Sequence, residues 1–272
     1  MSGPPSAKVS KGVVTGDPAK VLPIGSELRF QPTPIIGAVQ EGAATLRNWE
    51  FFEGLLLQIA LTDDEFMRVE GSGVMVAPGV ALCATHVIEP HFERLLTGQG
   101  IGTCFGICAN NLQVWNIRKV TSVPNTDITI LSLELTSDLP PENTFIQSVI
   151  TTRTPARGEP LTICGFRAGK PAFQRGEKVV KASGELWVCK GSIIQAFPLG
   201  RDKAMIRWPA LAVSVPAYGG MSGGPVFDSY GLLVGLLCSS IVFGDGQGLI
   251  CILIVAGAYS PIRGHVAQWP IS

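Results

Sequence analysis

From Phe52 onward, apolar residues come in short runs, each cut off by a cluster of turn-forming residues. That rhythm belongs to many short strands rather than to helices. Leu55 to Leu61 reads as one strand. Val69 to Ala77 reads as a second, turned by Pro78-Gly79 and returning as Val80 to Thr85. Thr85-His86-Val87-Ile88 is expected to run out into a loop at Pro90, and Leu112 to Val120 and Asp127 to Leu135 complete a first set. A linker opens at Ser137-Asp138-Leu139-Pro140-Pro141 and continues to about residue 157. Strands are then expected at Leu161 to Phe166, Trp187 to Cys189, Met205 to Trp208, Leu232 to Cys238 and Leu249 to Val255. The longest apolar run, Leu249 to Ala258, is far short of the ~18 residues of a membrane span and reads as a buried strand.

The chain therefore predicts an all-β protein in three parts: an extended Pro/Gly-rich arm over 1–45, a first β unit over 46–145 and a second over 146–272. Pro4-Pro5 and Pro32-Thr33-Pro34 forbid regular helix in the arm and suit an extended spacer. The tail from Ser260 has room for a helical turn or two. Composition agrees with this picture. Gly 32 and Pro 20 in 272 residues supply many turns, and 46% hydrophobic residues can fill a substantial core. The formal net charge is zero, with no basic block, so no nucleic-acid partner is expected. Met1-Ser2-Gly3-Pro4-Pro5 has no apolar run behind it, so no secretory leader is expected. Seven cysteines, an odd number without regular spacing, predict mostly reduced, buried thiols and a cytoplasmic protein. Cys104 and Cys108 have half the spacing of a metal site but no second ligand pair, so no metal is expected.

The candidate chemistry centres on Gly219-Gly220-Met221-Ser222-Gly223-Gly224-Pro225. Glycines on both sides of the serine let the backbone turn sharply and bring N–H groups close to a substrate carbonyl. A serine placed there is a nucleophile if a base takes its proton. Upstream, the apolar run 81–84 leads through Thr85 to His86, and Asp127 opens the strand that follows Asn125-Thr126. His86, Asp127 and Ser222, in that order, are the reagents of an acyl-transfer triad.

On these motifs, and on Gly71-Ser72-Gly73-Val74-Met75-Val76 ahead of the histidine, the chain resembles the trypsin-like serine proteases, in particular the HtrA-like branch. The resemblance covers roughly residues 50 to 260. It implies two six-stranded antiparallel β-barrels packed together, with the active site in the cleft between them, and a serine endopeptidase that needs no cofactor. It also implies an oxyanion hole from the N–H groups of Gly220 and Ser222. The walls of the substrate pocket would be Pro216, Ala217 and Tyr218 on one side and Cys238, Ser239 and Ser240 on the other. None of these is acidic, so a small or medium apolar residue before the cut is favoured over Lys or Arg; Asp245 lies in a loop that could reach the pocket. Nothing after residue 260 has the length of the PDZ module of HtrA proteases.

Two departures and one rival motif shape the expectation. Secreted relatives carry a cysteine directly after the histidine, where this chain has Val87. They carry an aspartate before the serine, which pairs with a newly cut N-terminus; Met221 cannot form that ion pair. Control is therefore expected to lie in how the loops around Ser222 are held, with a partner protein or oligomer as a further possibility. Gly220-Met221-Ser222-Gly223-Gly224 also fits the Gly-x-Ser-x-Gly elbow of α/β-hydrolases, with Asp228, Asp245 and His265 downstream. An elbow serine leads into a helix, however, and Pro225-Val226-Phe227 reads as a strand. His91 and His265 sit on no motif. The alternative in another class is a catalytically silent peptide-binding module on the same fold, taking a protein or peptide ligand by strand addition.

Overall fold

The computed structural model describes residues 10–13, 27–30, 33–36, 54–62, 66–97, 99–108, 111–138, 148–151, 153–167, 173–174, 179–182, 185–215, 218–242 and 248–254. Three short strands come first: β1 (Ser10–Val13), β2 (Glu27–Phe30) and β3 (Thr33–Ile36). A first barrel follows, of β4 (Leu56–Thr62), β5 (Phe66–Ala77), β6 (Val80–Ala84), β7 (Ile101–Cys108), β8 (Asn111–Ser122) and β9 (Ile128–Leu135). Neighbours pair antiparallel in the ring β4-β5-β6-β9-β8-β7, which closes on β4. Closure removes the open edges that a flat sheet would present.

The second half contributes β10 (Pro160–Arg167), β11 (Phe173–Gln174), β12 (Val179–Ala182), β13 (Glu185–Phe197), β14 (Ala210–Val213), β15 (Pro225–Phe227), β16 (Leu233–Val242) and β17 (Gly248–Ile254). Its ring runs β10-β15-β16-β17-β14-β13 and closes through β13, which pairs with β10 along 185–192 and with β14 along 193–197. This is the all-β, double-barrel architecture that the sequence leads one to expect.

Alternation decides which residues fill which space, because successive strand residues face opposite ways. Leu57, Ile59, Met75, Ala81, Cys83, Trp115 and Leu131 pack inside the first barrel. Leu161, Ile163, Trp187, Cys189, Val213 and Val226 pack inside the second. The opposite faces meet between the barrels: Leu56, Ala60, Val74, Leu82 and Phe105 share one cluster with Cys164, Phe166, Leu186, Val188, Phe227 and Leu236. Strands such as β4, buried at every position, therefore lie between two cores.

The outlying strands cross between the halves. β1 and β2 form an antiparallel pair whose outer neighbours are β8 and β12, while β3 lies parallel to β13. β11 pairs with the start of β5.

Three local readings need correction. Thr85 to Ile88 is not a loop but a helical turn, α1 (Thr85–Ile88), followed by a 3₁₀ turn (Glu89–His91) and α2 (Phe92–Leu96). Pro90 falls in the first positions of that 3₁₀ turn, where a missing N–H costs nothing. Met205 to Trp208 is not a strand: the Asp202 carboxylate accepts from the N–H groups of Ala204, Met205 and Ile206, taking the donors a ladder would need, and the strand starts at Ala210. β7 was not anticipated. Its glycines hide the alternation, and Gly102 leaves space for Ile117, whose Cδ1 would lie 2.6 Å from a Cβ there. The tail beyond 254 lies outside the described residues.

Candidate active site

His86 is carried on α1 directly after β6, and Asp127 sits in the turn before β9, the strand that pairs with β6. Their proximity therefore follows from one ladder. The turn is held by Thr126 Oγ1 donating to Val123 O, and by Ile128 N donating back to that hydroxyl. Asp127 O accepts from Thr85 N at 2.9 Å. Its carboxylate then grips His86 twice: Oδ1 accepts from the backbone N at 3.0 Å, and Oδ2 lies 2.7 Å from ring Nδ1. The Asp127 side chain is 7% exposed and the His86 side chain 43%. A buried carboxylate thus fixes one edge of a ring whose other edge faces solvent.

Ser222 lies on the second barrel, in the turn before β15, and a strand rather than a helix follows it. Met221 anchors this turn. It is fully buried in the core of the second barrel with Ile163 and Val226. Gly220 has φ +91° at the third position of a tight turn closed by Met221 N donating to Tyr218 O at 3.1 Å. Such a turn requires the left-handed region there. Gly223 has φ +82°, and a Cβ on it would stand 2.2 Å from Ser72 O, so only glycine lets the turn touch the first barrel. That contact sets the serine turn beside the end of β6 and the start of α1: Gly223 also abuts Ala84 N, and Ser222 O and the Val87 side chain flank the same glycine, Gly71. Among the described residues, no hydrogen bond joins Ser222 Oγ to His86. The N–H groups of Gly220 and Ser222 likewise have no protein acceptor among them.

Of the expected pocket walls, Pro216 and Ala217 lie outside the described residues, as do Asp245 and His265. Tyr218 is half-buried and packs against Trp187, with ring centroids 4.3 Å apart and planes tilted by 44°. The Arg167 guanidinium covers both rings, at 5.5 Å from Tyr218 and 5.8 Å from Trp187. The sequence reading missed this cation–aromatic cluster beside the serine turn, because Arg167 carries no motif. Cys238 is buried against Ile206 and Ala210; Ser239 is half-buried; Ser240 continues β16.

Asp228 is engaged by Arg153, which also holds Glu159. Burial pushes the Asp228 carboxyl upward, but Arg153 and the N–H groups of Leu232 and Tyr230 outweigh it and leave the group below its ordinary range. His91 lies 3.8 Å from Glu70. The five described cysteines, Cys83, Cys104, Cys164, Cys189 and Cys238, are buried, and the first four are free thiols. Burial pushes the Cys189 thiol up to about 11, and pushes Cys83, Cys104 and Cys164 up as well. Such thiols are poor nucleophiles and poor metal ligands at neutral pH. No helix among the described residues is long and apolar enough to cross a membrane.

No curated protein matches the chain significantly. Solved structures do. The Rv3671c protease of M. tuberculosis, in its active form, superposes with a TM-score of 0.57 at 17% identity, covering 89% of this chain and 95% of that one. A mutant of human heparin binding protein (CAP37) gives 0.54 at 14%, over 82% and 92%. Deg5 gives 0.53 at 18%, over 75% and 84%. At these identities the likeness is one of fold. The family model for the trypsin-like peptidase domain matches residues 71–236, more than half of the chain and the whole span from the strand before His86 to the one beyond Ser222. The chain belongs to the trypsin-like peptidase family.

Proposed function

We propose that the protein is a serine endopeptidase that cleaves peptide bonds through an acyl-enzyme. Ser222 Oγ attacks the scissile carbonyl while His86 Nε2 takes its proton. His86 then returns that proton to the leaving amine, and water repeats the sequence to release the acyl group. Asp127 holds the ring so that Nδ1–H points at the carboxylate and Nε2 stays free to accept. The N–H groups of Gly220 and Ser222 receive the developing oxyanion. The observation that carries this reading is the double grip of Asp127 on His86, on the barrel that faces the glycine-flanked serine. Tyr218 at the rim and neutral Cys238 and Ser239 support a small or medium apolar residue before the cut. Met221, buried and uncharged, supports a turn set without a freed N-terminus, with control left to the loops or to a partner. Buried free thiols support a reducing, cytoplasmic setting.

A fluorophosphonate probe tests the reading, since it reacts only with a serine activated by its base. Labelling of the intact protein that disappears in Ser222→Ala, with peptide turnover falling by about 10⁶, is the expected result. The second reading is a silent peptide-binding module, favoured by the lack of a hydrogen bond between Ser222 Oγ and His86. Absence of labelling in a folded wild-type protein that still binds peptide would establish that reading instead.

A further inference from the structure

Ser72 belongs to the first barrel, yet its hydrogen bonds reach the second. It is fully buried on β5. Its N–H donates to Ser222 O at 2.8 Å. Its Oγ accepts from Phe166 N at 2.7 Å and donates to Gly220 O at 3.0 Å. A hydroxyl has one hydrogen. Because Phe166 N–H can only donate and Gly220 O can only accept, the hydroxyl hydrogen is directed at Gly220.

The bonds around the serine turn make the consequence visible. Met221 N donates to Tyr218 O, and Met221 O accepts from Gly224 N. Gly223 N donates to Leu237 O, and Gly224 O accepts from Leu237 N. The carbonyls of Gly220 and Ser222 are taken by Ser72. Among the N–H groups of the turn left without an acceptor by the described residues are those of Gly220 and Ser222, next to that of exposed Gly219. Gly220 and Ser222 are only half-buried, so these two N–H groups remain open to an acceptor from outside the protein. Gly220, lacking a Cβ, offers little resistance to rotation of the peptide it begins. The hydroxyl of Ser72 opposes that rotation, from the other barrel.

We infer that Ser72 is a positioning residue: it locks the peptide planes beside Gly220 and Ser222, so that their two N–H groups stay aimed into the cleft for a developing oxyanion. This rests on the proposed peptidase reading, but the bracing of the turn can be measured apart from it. Ser72→Ala removes the hydroxyl and keeps the backbone bond. Ser72→Thr restores the hydroxyl, and Ser72→Cys offers a weak donor should the alanine variant not fold. Hydrogen exchange at the amides of Met221 and Gly223, against the melting temperature of each variant, reads the turn. Fluorophosphonate labelling rate and affinity for a peptide boronate, whose adduct puts an oxygen where the oxyanion forms, read the chemistry.

In Ser72→Ala, exchange at Met221 rises at least about tenfold. Labelling rate and boronate affinity fall together by about 10- to 100-fold, below the full loss of a donor, while KM moves less than about threefold. Ser72→Thr recovers most of the loss. Unchanged exchange at Met221 in a folded Ser72→Ala or Ser72→Cys overturns the inference, as does unchanged labelling. A wild-type protein that resists the probe while Ser72→Ala loosens the turn defeats the peptidase reading and leaves the brace standing.

Discussion

Asp127 makes two kinds of bond to His86, and they separate structure from chemistry. Asp127→Asn keeps the oxygen that accepts from His86 N, but offers the ring an amide in place of a carboxylate. The fold should survive with a melting temperature within a few degrees of wild type, while turnover drops by about 10⁴ because the wrong ring tautomer is favoured. Kinetics on a folded variant check this, and a loss under about tenfold would assign the role to another acid. Met221 is a second test at this scale. Met221→Asp buries a charge inside the second barrel, among apolar neighbours. A destabilisation of about 3 kcal/mol or more is expected in denaturant titration. The candidate reagents could be proposed from the sequence because each carries a local signature: glycines around Ser222, a strand ending on His86, a turn before Asp127. Ser72 was legible only as part of a motif. Its bond to Gly220 spans 148 positions, and no local pattern encodes a contact of that reach.

At the level of elements, the strands with clean alternation were readable, and the misread pieces share a cause. In 202–206 and in α1, side-chain oxygens of Asp202 and Asp127 take backbone donors that hydropathy says nothing about. β7 escaped because its glycines carry no side chain to alternate. A polar clasp also ties the end of the inter-barrel connection to the turn after β15, with Arg153 bridging Glu159 and Asp228. Glu159 is held below its ordinary range chiefly by Arg153, with Ala156 N–H adding. Asp228 is held down by Arg153 and two backbone N–H groups against its burial. Carboxyls depressed in the folded state contribute stability above their unfolded values, about 3.9 for Asp and 4.3 for Glu, and lose it as pH falls through the folded values. Acid unfolding of the wild type should therefore lie below pH 4. Arg153→Met should move its midpoint to higher pH while changing stability at pH 7 much less than Met221→Asp. Circular dichroism against pH measures the shift. A midpoint that stays put would show that the clasp carries no weight.

Across the whole molecule, the barrels keep the five described thiols out of reach. Cys83, Cys104, Cys164, Cys189 and Cys238 are all buried, and burial raises each thiol for which a shift is resolved. Under native, non-reducing conditions these five should resist a maleimide reagent, and all should react once denaturant opens the cores, as peptide mapping would reveal. Rapid native labelling at Cys83 or Cys164 would mean that the barrels open locally. The all-β class was foreseeable from the pattern of short apolar runs, and the double barrel from the family resemblance that the motifs carry. The way β1 to β3 and β11 to β12 lace across both halves was not, since their pairing depends on neighbours far along the chain. The split of the cleft between two separately closed barrels also sets a schedule during synthesis. His86 and Asp127 leave the ribosome with the first barrel, while Ser222 follows about a hundred residues later, or several seconds at ordinary elongation rates. On the proposed peptidase reading, a nascent chain would carry base and acid without a nucleophile, leaving a half-made molecule harmless to itself and to its neighbours.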